Sequence, residues 1–368
     1  MTASADDFRH MAQALKLAAR GEYSTRPNPR VGCVIARRGE VVGCGFHHHA
    51  GGPHAEVVAL GQAGPAAAGA TAYVTLEPCN HHGRTPPCVD ALIAAHVARV
   101  VYACDDPNPL VAGQGAARLR AAGIDVVIGP LGADARVLNR GFFSRLERGR
   151  PFVTLKTGMS LDGKIALANG QSQWITSAAA RADVQRMRAR SCAVMTGIGT
   201  ALADDPALTV RDASLDLGGV PPARLVLDAA LRLPPTARLF ADPAPVIIFT
   251  ASVDADRRGA LEAAGARIET VPGVAGRLDP GAVLRRLAEL SINDLLVECG
   301  PQLAGALLDA GLVDELVCFV APKLLGADAR SAFAVAAPDS LGACLTLEIV
   351  EVGRIGPDLR LVARPVPA

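Results

Sequence analysis

The chain is short of aromatic residues. They make up 4 % of its 368 residues, with one tryptophan, three tyrosines and nine phenylalanines, so the core must be packed from Ala, Val and Leu. Neither sign of charge is in excess: 37 Lys and Arg stand against 36 Asp and Glu, a formal net charge of +1. Proteins that hold nucleic acid through bulk charge carry a clear basic surplus. No nucleic-acid partner is therefore expected, while a local anion site remains compatible with that balance. No run approaches the ~18 apolar residues that a membrane span needs. Met1–His10 contains Asp6 and Asp7 and no apolar stretch, unlike a signal peptide, so neither a membrane partner nor secretion is expected. Histidine is absent after His96. Imidazole chemistry is thus confined to the first part of the chain.

What is present is the material of a soluble α/β protein. Half of the chain is hydrophobic and 20 % is charged, and its length corresponds to two domains at ~100–200 residues each. The nine cysteines are spread from Cys33 to Cys344. Without a secretory signal they read as reduced thiols of a cytoplasmic protein, serving metal, catalysis or core. The polar run Arg145-Leu-Glu-Arg-Gly149-Arg-Pro151 stops a helix before a new apolar run begins, which divides the chain into residues 1–148 and 149–368. In the first part, Val31–Ala36, Val41–Phe46, Thr71–Leu76, Arg99–Ala103 and Asp125–Ile128 read as strands. Phe8–Arg20, His54–Gln62, Cys88–His96 and Gln114–Ala122 read as helices. The first two strands should form a hairpin through Arg37–Glu40, and the later ones need helical crossovers, which suggests a three-layer α/β/α sheet. The second part alternates likewise, with strands at Phe152–Thr157, Cys192–Thr196, Arg224–Leu227, Val246–Phe249, Asp294–Glu298 and Glu315–Val320.

The sharpest chemical signal lies in three segments: Pro53-His54-Ala55-Glu56, Glu77-Pro78-Cys79 and Pro86-Pro87-Cys88. One imidazole and two thiolates fill three of the four tetrahedral positions of zinc and leave one for water, as in a catalytic site. Zinc lowers the pKa of bound water to about 7. Cys88 follows two prolines and opens an amphipathic run, so it is expected at a helix start, where backbone N–H groups favour the thiolate. Glu56 adds a carboxylate that can take a proton from water and hand it to a leaving amine. His-x-Glu followed by Pro-Cys and a later Cys is the pattern of zinc-dependent nucleobase deaminases. One feature departs from it: eight residues, Asn80 to Pro87, separate the cysteines where that pattern has two. A structural zinc with a fourth ligand from Cys33, Cys44 or Cys104, and Glu56 incidental, is the competing reading.

The second half gives weaker signals. Leu295-Leu-Val-Glu298-Cys-Gly300-Pro-Gln-Leu-Ala-Gly305-Ala reads as a strand, a turn and a helix start, which is a ready phosphate cradle. Its spacing is neither a P-loop nor G-x-G-x-x-G. Gly197-Ile-Gly199-Thr200 also follows a strand, and Leu202-Ala-Asp204-Asp205-Pro206 can equally be a helix cap.

Longer runs narrow the choice. Asn28-Pro-Arg-Val-Gly-Cys33, Glu77 through Cys88 and Asp106-Pro-Asn-Pro109 are specific runs in the first half. Lys156-Thr-Gly158-Met-Ser-Leu-Asp162-Gly-Lys164, Ser172-Gln-Trp174-Ile-Thr176-Ser and Leu202 through Arg211 are their counterparts in the second. Together they resemble the bacterial bifunctional riboflavin-biosynthesis proteins, in which a pyrimidine deaminase is fused to a 5-amino-6-(5-phosphoribosylamino)uracil reductase. The resemblance runs from about Asn28 to Ala306. It implies a cytidine-deaminase-like α/β/α sandwich followed by a dihydrofolate-reductase-like α/β domain, with one Zn2+ and NADPH as cofactors. Carried over position by position, His54, Cys79 and Cys88 match the metal ligands and Glu56 the proton shuttle. Asn28, His47, Arg84, Asp106 and Asn108 would hold the first substrate. Gly158, Trp174, Thr200, Asp204, Gly300, Pro301, Gln302, Leu303, Ala304, Gly305 and Ala306 would contact NADPH. Ser172, Arg188, Leu208, Arg211 and Glu298 would contact the second substrate.

Each of these has an ordinary counterpart. Asn-Pro usually marks a turn, and a lone Trp is usually packed in a core. The resemblance implies small phosphoribosyl pyrimidines as substrates and a cytoplasmic enzyme, expected as a homo-oligomer, that deaminates and then reduces. Two rivals stand beside it: a nucleoside or tRNA deaminase with a second domain that only binds, and a zinc-held binding module. A tRNA editor should show a basic stripe, and the net charge of +1 speaks against it.

Overall fold

The computed structural model describes residues 3–80, 86–109 and 111–366. They form two compact units: the chain up to Gly149 together with Asp216–Val220, and Arg150–Leu215 together with Pro221 onward.

The first unit opens with α1 (Ala5–Ala19), started by a capping box in which the Ser4 hydroxyl accepts from the Asp7 amide and the Asp7 carboxylate from the Ser4 amide. Strands β1 (Gly32–Arg37) and β2 (Glu40–Phe46) pair antiparallel. They close through Arg38 and Gly39, both at positive φ, the conformation that matches strand twist in a two-residue hairpin. Then come α2 (Ala55–Ala63), β3 (Thr71–Val74), α3 (Cys88–Ala94), β4 (Arg99–Tyr102), α4 (Gln114–Ala121), β5 (Asp125–Ile128), α5 (Gly132–Leu138) and α6 (Arg140–Arg148). The sheet order is β2-β1-β3-β4-β5, with β3, β4 and β5 parallel. Cys33, Ile35, Ala72 and Val100 face a core that includes Ala55, Ala59, Leu92 and Leu119 of α2–α4. Val34, Tyr73 and Val101 face Met11, Ala14, Ala135 and Phe143 of α1, α5 and α6. Both faces of the sheet are thus covered by helices, a three-layer α/β/α sandwich.

Helix α2 lies close on β2 because two glycines admit it. A Cβ on Gly43 would come within 2.3 Å of the Ala59 carbonyl oxygen, and one on Gly45 within 2.7 Å of that of Ala55. Backbone pressed on backbone at this distance fixes the start of α2.

The second unit contains β6 (Phe152–Ser160), β7 (Lys164–Ala166), α7 (Ala178–Arg190), β8 (Ala193–Gly197), α8 (Ile198–Asp204), β9 (Ala223–Leu227), β10 (Val246–Thr250), α9 (Ala255–Ala263) and β11 (Ala266–Thr270). The pair β12 (Gly273–Val274) and β13 (Arg277–Leu278) leads into α10 (Pro280–Glu289), β14 (Asp294–Glu298), α11 (Pro301–Asp309), β15 (Glu315–Ala321), β16 (Arg330–Ser331), β17 (Leu347–Ile355) and β18 (Asp358–Pro365). Nine strands form one sheet in the order β11-β10-β9-β8-β14-β6-β15-β18-β17. Its first seven strands are parallel, and β18 and β17 turn it antiparallel at the end. Alternate residues of each strand enter two cores, one built on Val153, Leu155, Leu225 and Phe249 and the other on Val194, Val226, Ile248 and Phe319. In open sheets of this kind ligands settle at the carboxyl ends of the parallel strands. Gly158, Gly197 and Glu298 stand at those ends of the neighbouring strands β6, β8 and β14.

Candidate functional site

In the first unit, His54 is the N-cap of α2 and Glu56 lies in its first turn, while Cys88 is the first residue of α3, where the sequence placed it. Cys79 is brought up by the loop after β3, held by Val89 N donating to its carbonyl at 3.3 Å and Cys88 N to its sulfur at 3.3 Å. His54 Nδ1 is 3.1 Å from Cys88 Sγ and 3.5 Å from Cys79 Sγ. The three donor atoms lie within 4.8 Å of one another, the one such group among the described residues. Cys33, Cys44 and Cys104 are not in it, so none of the described residues supplies a fourth ligand for a structural zinc. The Cys88 thiol donates to Cys79, which lowers the pKa of Cys79 and raises that of Cys88. A soft divalent cation suits that donor set, and the residues fit zinc.

Glu56 is 3 % exposed. Burial, with the charge of Cys79 behind it, pushes its carboxyl up to about 7, a value suited to taking and returning a proton near neutrality. Asn28 and His47 are joined. His47 Nδ1 is 3.0 Å from the Pro53 carbonyl and Nε2 3.0 Å from Asn28 Nδ2. The carbonyl can only accept, so the His47 proton sits on Nδ1, and burial lowers the ring's pKa. Asp106 and Asn108 form an Asx turn, the Asn108 amide donating to Asp106 Oδ1 at 2.8 Å. Burial still pushes the buried Asp106 carboxyl up to about 6. Arg84 lies outside the described residues.

Glu77 was quoted in the sequence only as part of a motif, yet it shapes this site. Its buried carboxylate accepts from Gly113 N at 2.9 Å and Ala116 N at 3.1 Å, tying α4 to the loop that carries Cys79. Gly115 lets α4 approach, since a Cβ there would meet the Pro78 carbonyl oxygen at 2.1 Å.

In the second unit Gly158, Thr200, Glu298 and Gly300 lie at or just past the carboxyl ends of β6, β8 and β14. Gly300 N donates to Thr200 Oγ1 at 3.0 Å. A Cβ on Gly158 would lie 3.2 Å from Thr176 Cγ2, and one on Gly300 3.4 Å from Thr200 Oγ1. These glycines let the Thr176 and Thr200 side chains close in beside the start of α11, where the first-turn N–H groups of a helix can receive a cofactor phosphate. Pro301 and Gln302 open α11, with Gln302 exposed, while Ala304 and Gly305 turn into the core and Leu303 and Ala306 are half-buried. Asp204 ends α8 exposed, and Ser172 is half-buried. Trp174 is 60 % exposed, so the core-packing alternative for this residue does not hold.

Two of the expected substrate residues are held within the unit. Arg188 is engaged by an ion pair and a backbone carbonyl. Nε and Nη2 are bound to Glu298 at 2.6 and 3.1 Å, and Nη1 donates to the Thr209 carbonyl at 2.9 Å. Leu208 is buried in the core, with φ at +52°, and presents no side chain to a ligand. Arg211 is exposed, and its backbone amide donates to Gln185 Oε1 at 2.7 Å. Lys156, named in the sequence only within a run, has Nζ 3.7 Å from Glu298 Oε2. Burial alone would raise the Glu298 carboxyl, but Arg188 and then Lys156 hold it down at about 2.

Comparison with known proteins agrees with both halves. Residues 4–104 match the cytidine and deoxycytidylate deaminase zinc-binding region and residues 151–361 the RibD C-terminal domain. The riboflavin biosynthesis protein RibD of Escherichia coli (strain K12) is 50 % identical over 364 residues, covering 96 % of this chain and 98 % of that protein. Among solved structures, Acinetobacter baumannii RibD matches with a TM-score of 0.91 at 45 % identity, over 98 % of this chain and 99 % of that one. A Thermotoga maritima diaminohydroxyphosphoribosylaminopyrimidine deaminase/5-amino-6-(5-phosphoribosylamino)uracil reductase matches with a TM-score of 0.85 at 33 % identity, over 98 % and 99 % of the two chains. The expected folds, cytidine-deaminase-like and then dihydrofolate-reductase-like, and the expected cofactors, zinc and NADPH, go with these matches. The chain belongs to the RibD family and is a bifunctional deaminase and reductase of riboflavin biosynthesis.

Proposed function

We propose that residues 1–148 deaminate 2,5-diamino-6-(5-phosphoribosylamino)pyrimidin-4-one and that residues 149–368 reduce the product, 5-amino-6-(5-phosphoribosylamino)uracil, from ribosyl to ribityl. One observation carries this reading above the others: three soft donors, His54, Cys79 and Cys88, meet beside the buried carboxylate of Glu56. When bound there, zinc makes water acidic enough to act as a nucleophile near neutral pH. Glu56 takes the proton from the attacking water and delivers it to the departing amino group. The ring carbon gains the oxygen, and ammonia leaves. Asn28, oriented by His47, hydrogen-bonds the pyrimidine edge, with Asp106 and Asn108 beside it. Arg84 pairs with the phosphate.

In the reductase, NADPH supplies hydride to C1′ of the open-chain sugar when bound. Gly158, Trp174, Thr200, Asp204 and residues 300–306 receive the cofactor, the core-facing ones through backbone alone. Ser172 and ionised Glu298 accept from substrate hydroxyls, and Arg211 pairs with the phosphate. Arg188 serves by holding Glu298. The enzyme acts in the cytoplasm as a homo-oligomer, without nucleic acid or membrane. A net charge of +1 supports this, as does the lack, among the described residues, of any helix long and apolar enough to cross a membrane. The exposed Ile349 and Val352 on edge strand β17 support self-association.

The test is Glu56→Gln, with bound metal and ammonia release measured on one preparation. The variant should keep its zinc and lose deamination by ~10²- to 10⁴-fold. An active variant would show that Glu56 is a bystander and the zinc structural.

A further inference from the structure

Trp174 is the chain's one tryptophan, and it projects from the segment Ser172–Ser177 with 60 % of its surface exposed. Its exposure is not that of a loose loop, because the segment is gripped from two sides. Lys323, just past the end of β15, donates from Nζ to the Trp174 carbonyl at 2.9 Å. Arg181, in the first turns of α7, donates from Nη1 to the Thr176 carbonyl at 2.6 Å. The same guanidinium lies against the indole, its carbon 4.4 Å from the ring centroid. Both side chains bond backbone carbonyls of this segment, so each cation is spent on it.

A guanidinium stacked on an indole attracts it and covers one face. The opposite face is left for a second planar group. Holding the ring still beforehand removes the ordering cost that a ligand would otherwise meet. The same segment reaches β6 of the reductase sheet, since Thr176 Cγ2 would touch a Cβ on Gly158 at 3.2 Å. We propose that Arg181, backed by Lys323, is a positioning residue of the reductase that holds Trp174 as a one-faced stacking platform for a planar ring of the dinucleotide cofactor. This rests on reading Trp174 as a cofactor contact, and the two ideas fail separately.

Because Trp174 is the only tryptophan, its emission reports the platform directly in the full-length protein. Without ligand, the cation on the ring should draw iodide and repel caesium, so iodide quenches the emission more strongly. Arg181→Met should lower that iodide-to-caesium ratio, and Arg181→Lys should restore part of it. NADPH affinity, measured by calorimetry, should weaken roughly 5- to 50-fold in Arg181→Met, because only the braced fraction of the protein binds. The change should fall on KM for NADPH more than on kcat, with partial recovery in Arg181→Lys. Circular dichroism and the thermal midpoint establish that each variant is folded; if Arg181→Met does not fold, Arg181→Lys and Lys323→Met take its place. Unchanged quenching and unchanged NADPH affinity in the folded variants would overturn the brace. If Trp174→Phe loses affinity while the Arg181 variants do not, Trp174 is a cofactor contact and the brace is wrong. If Trp174→Phe binds NADPH normally, the cofactor reading of Trp174 falls as well.

Discussion

The pair Arg188–Glu298 separates two accounts of the reductase site, and a double-mutant cycle decides between them. In the structure the guanidinium grips the carboxylate at 2.6 and 3.1 Å, with the two side chains only 12 % and 13 % exposed. Glu298 is held at about 2 against an ordinary 4.5, a net preference for the ionised form of ~3 kcal/mol at ~1.4 kcal/mol per pKa unit. Lys156, at 3.7 Å, takes a share. The Arg188–Glu298 coupling should therefore be ~2 kcal/mol, and removing either partner alone should cost ~3–5 kcal/mol because the other charge is left buried. Urea unfolding of the full chain, followed by the emission of Trp174 in the second unit, measures Arg188→Met, Glu298→Gln and the double variant. The pH dependence has a definite sign. With its folded value depressed, Glu298 contributes its full stabilisation above pH 4.5 and loses it as the pH falls toward 2. Glu298→Gln should lack that loss. A coupling within ~0.5 kcal/mol of zero, with Arg188→Met raising only KM for the phosphorylated substrate, would refute the ion-pair account. It would leave Arg188 to the substrate contact that the family resemblance implied.

Two further perturbations bear on single residues. Arg211→Ala should lower reductase kcat/KM by roughly 10- to 150-fold, the value of a charged hydrogen bond; steady-state kinetics with normal reduction would place the phosphate elsewhere. Gly305→Ala should destabilise the second unit by ~1–3 kcal/mol, since its Cβ would sit 2.1 Å from the Ala334 carbonyl oxygen and the backbone must move. An unchanged thermal midpoint would mean that α11 is not seated as described.

Much of the fold was legible because its strands are Val-rich and bounded by Gly, Asp or Pro. The expected Val31–Ala36, Val41–Phe46 and Asp125–Ile128 correspond to β1, β2 and β5 within a residue or so. The antiparallel edge, β17 and β18, was not read. Strand β17 is solvated, the pair carries Glu348, Glu351, Arg354 and Arg360 among its aliphatics, and a bulge between Ile349 and Glu351 breaks the alternation of β17. Helix α5 was also missed, and of α6 only its end at Gly149 was read. They begin at Leu131 and Asn139 with no side-chain cap, Leu131 being at φ +63°, so the usual start signal is absent. That Asp216–Val220 groups with the first unit has no local signal at all.

The two sites differed in legibility for a chemical reason. Zinc accepts few ligand types, so His54, Cys79 and Cys88 were conspicuous among residues that are otherwise scarce, and burial of Glu56 could be expected beside them. Arginine serves phosphate binding, ion pairing and stacking alike, and nothing near Arg188 in the sequence reveals that its partner lies 110 positions away. The same holds for Arg181, whose partners are Trp174 and Thr176, and for Lys156 beside Glu298. Each of these cations was in view, and the resemblance assigned to Arg188 a contact with the second substrate. Burial adds a second demand on that arginine: a carboxylate as enclosed as Glu298 cannot stay ionised alone. The cations nearest to it must then answer to that carboxylate before they can answer to a ligand.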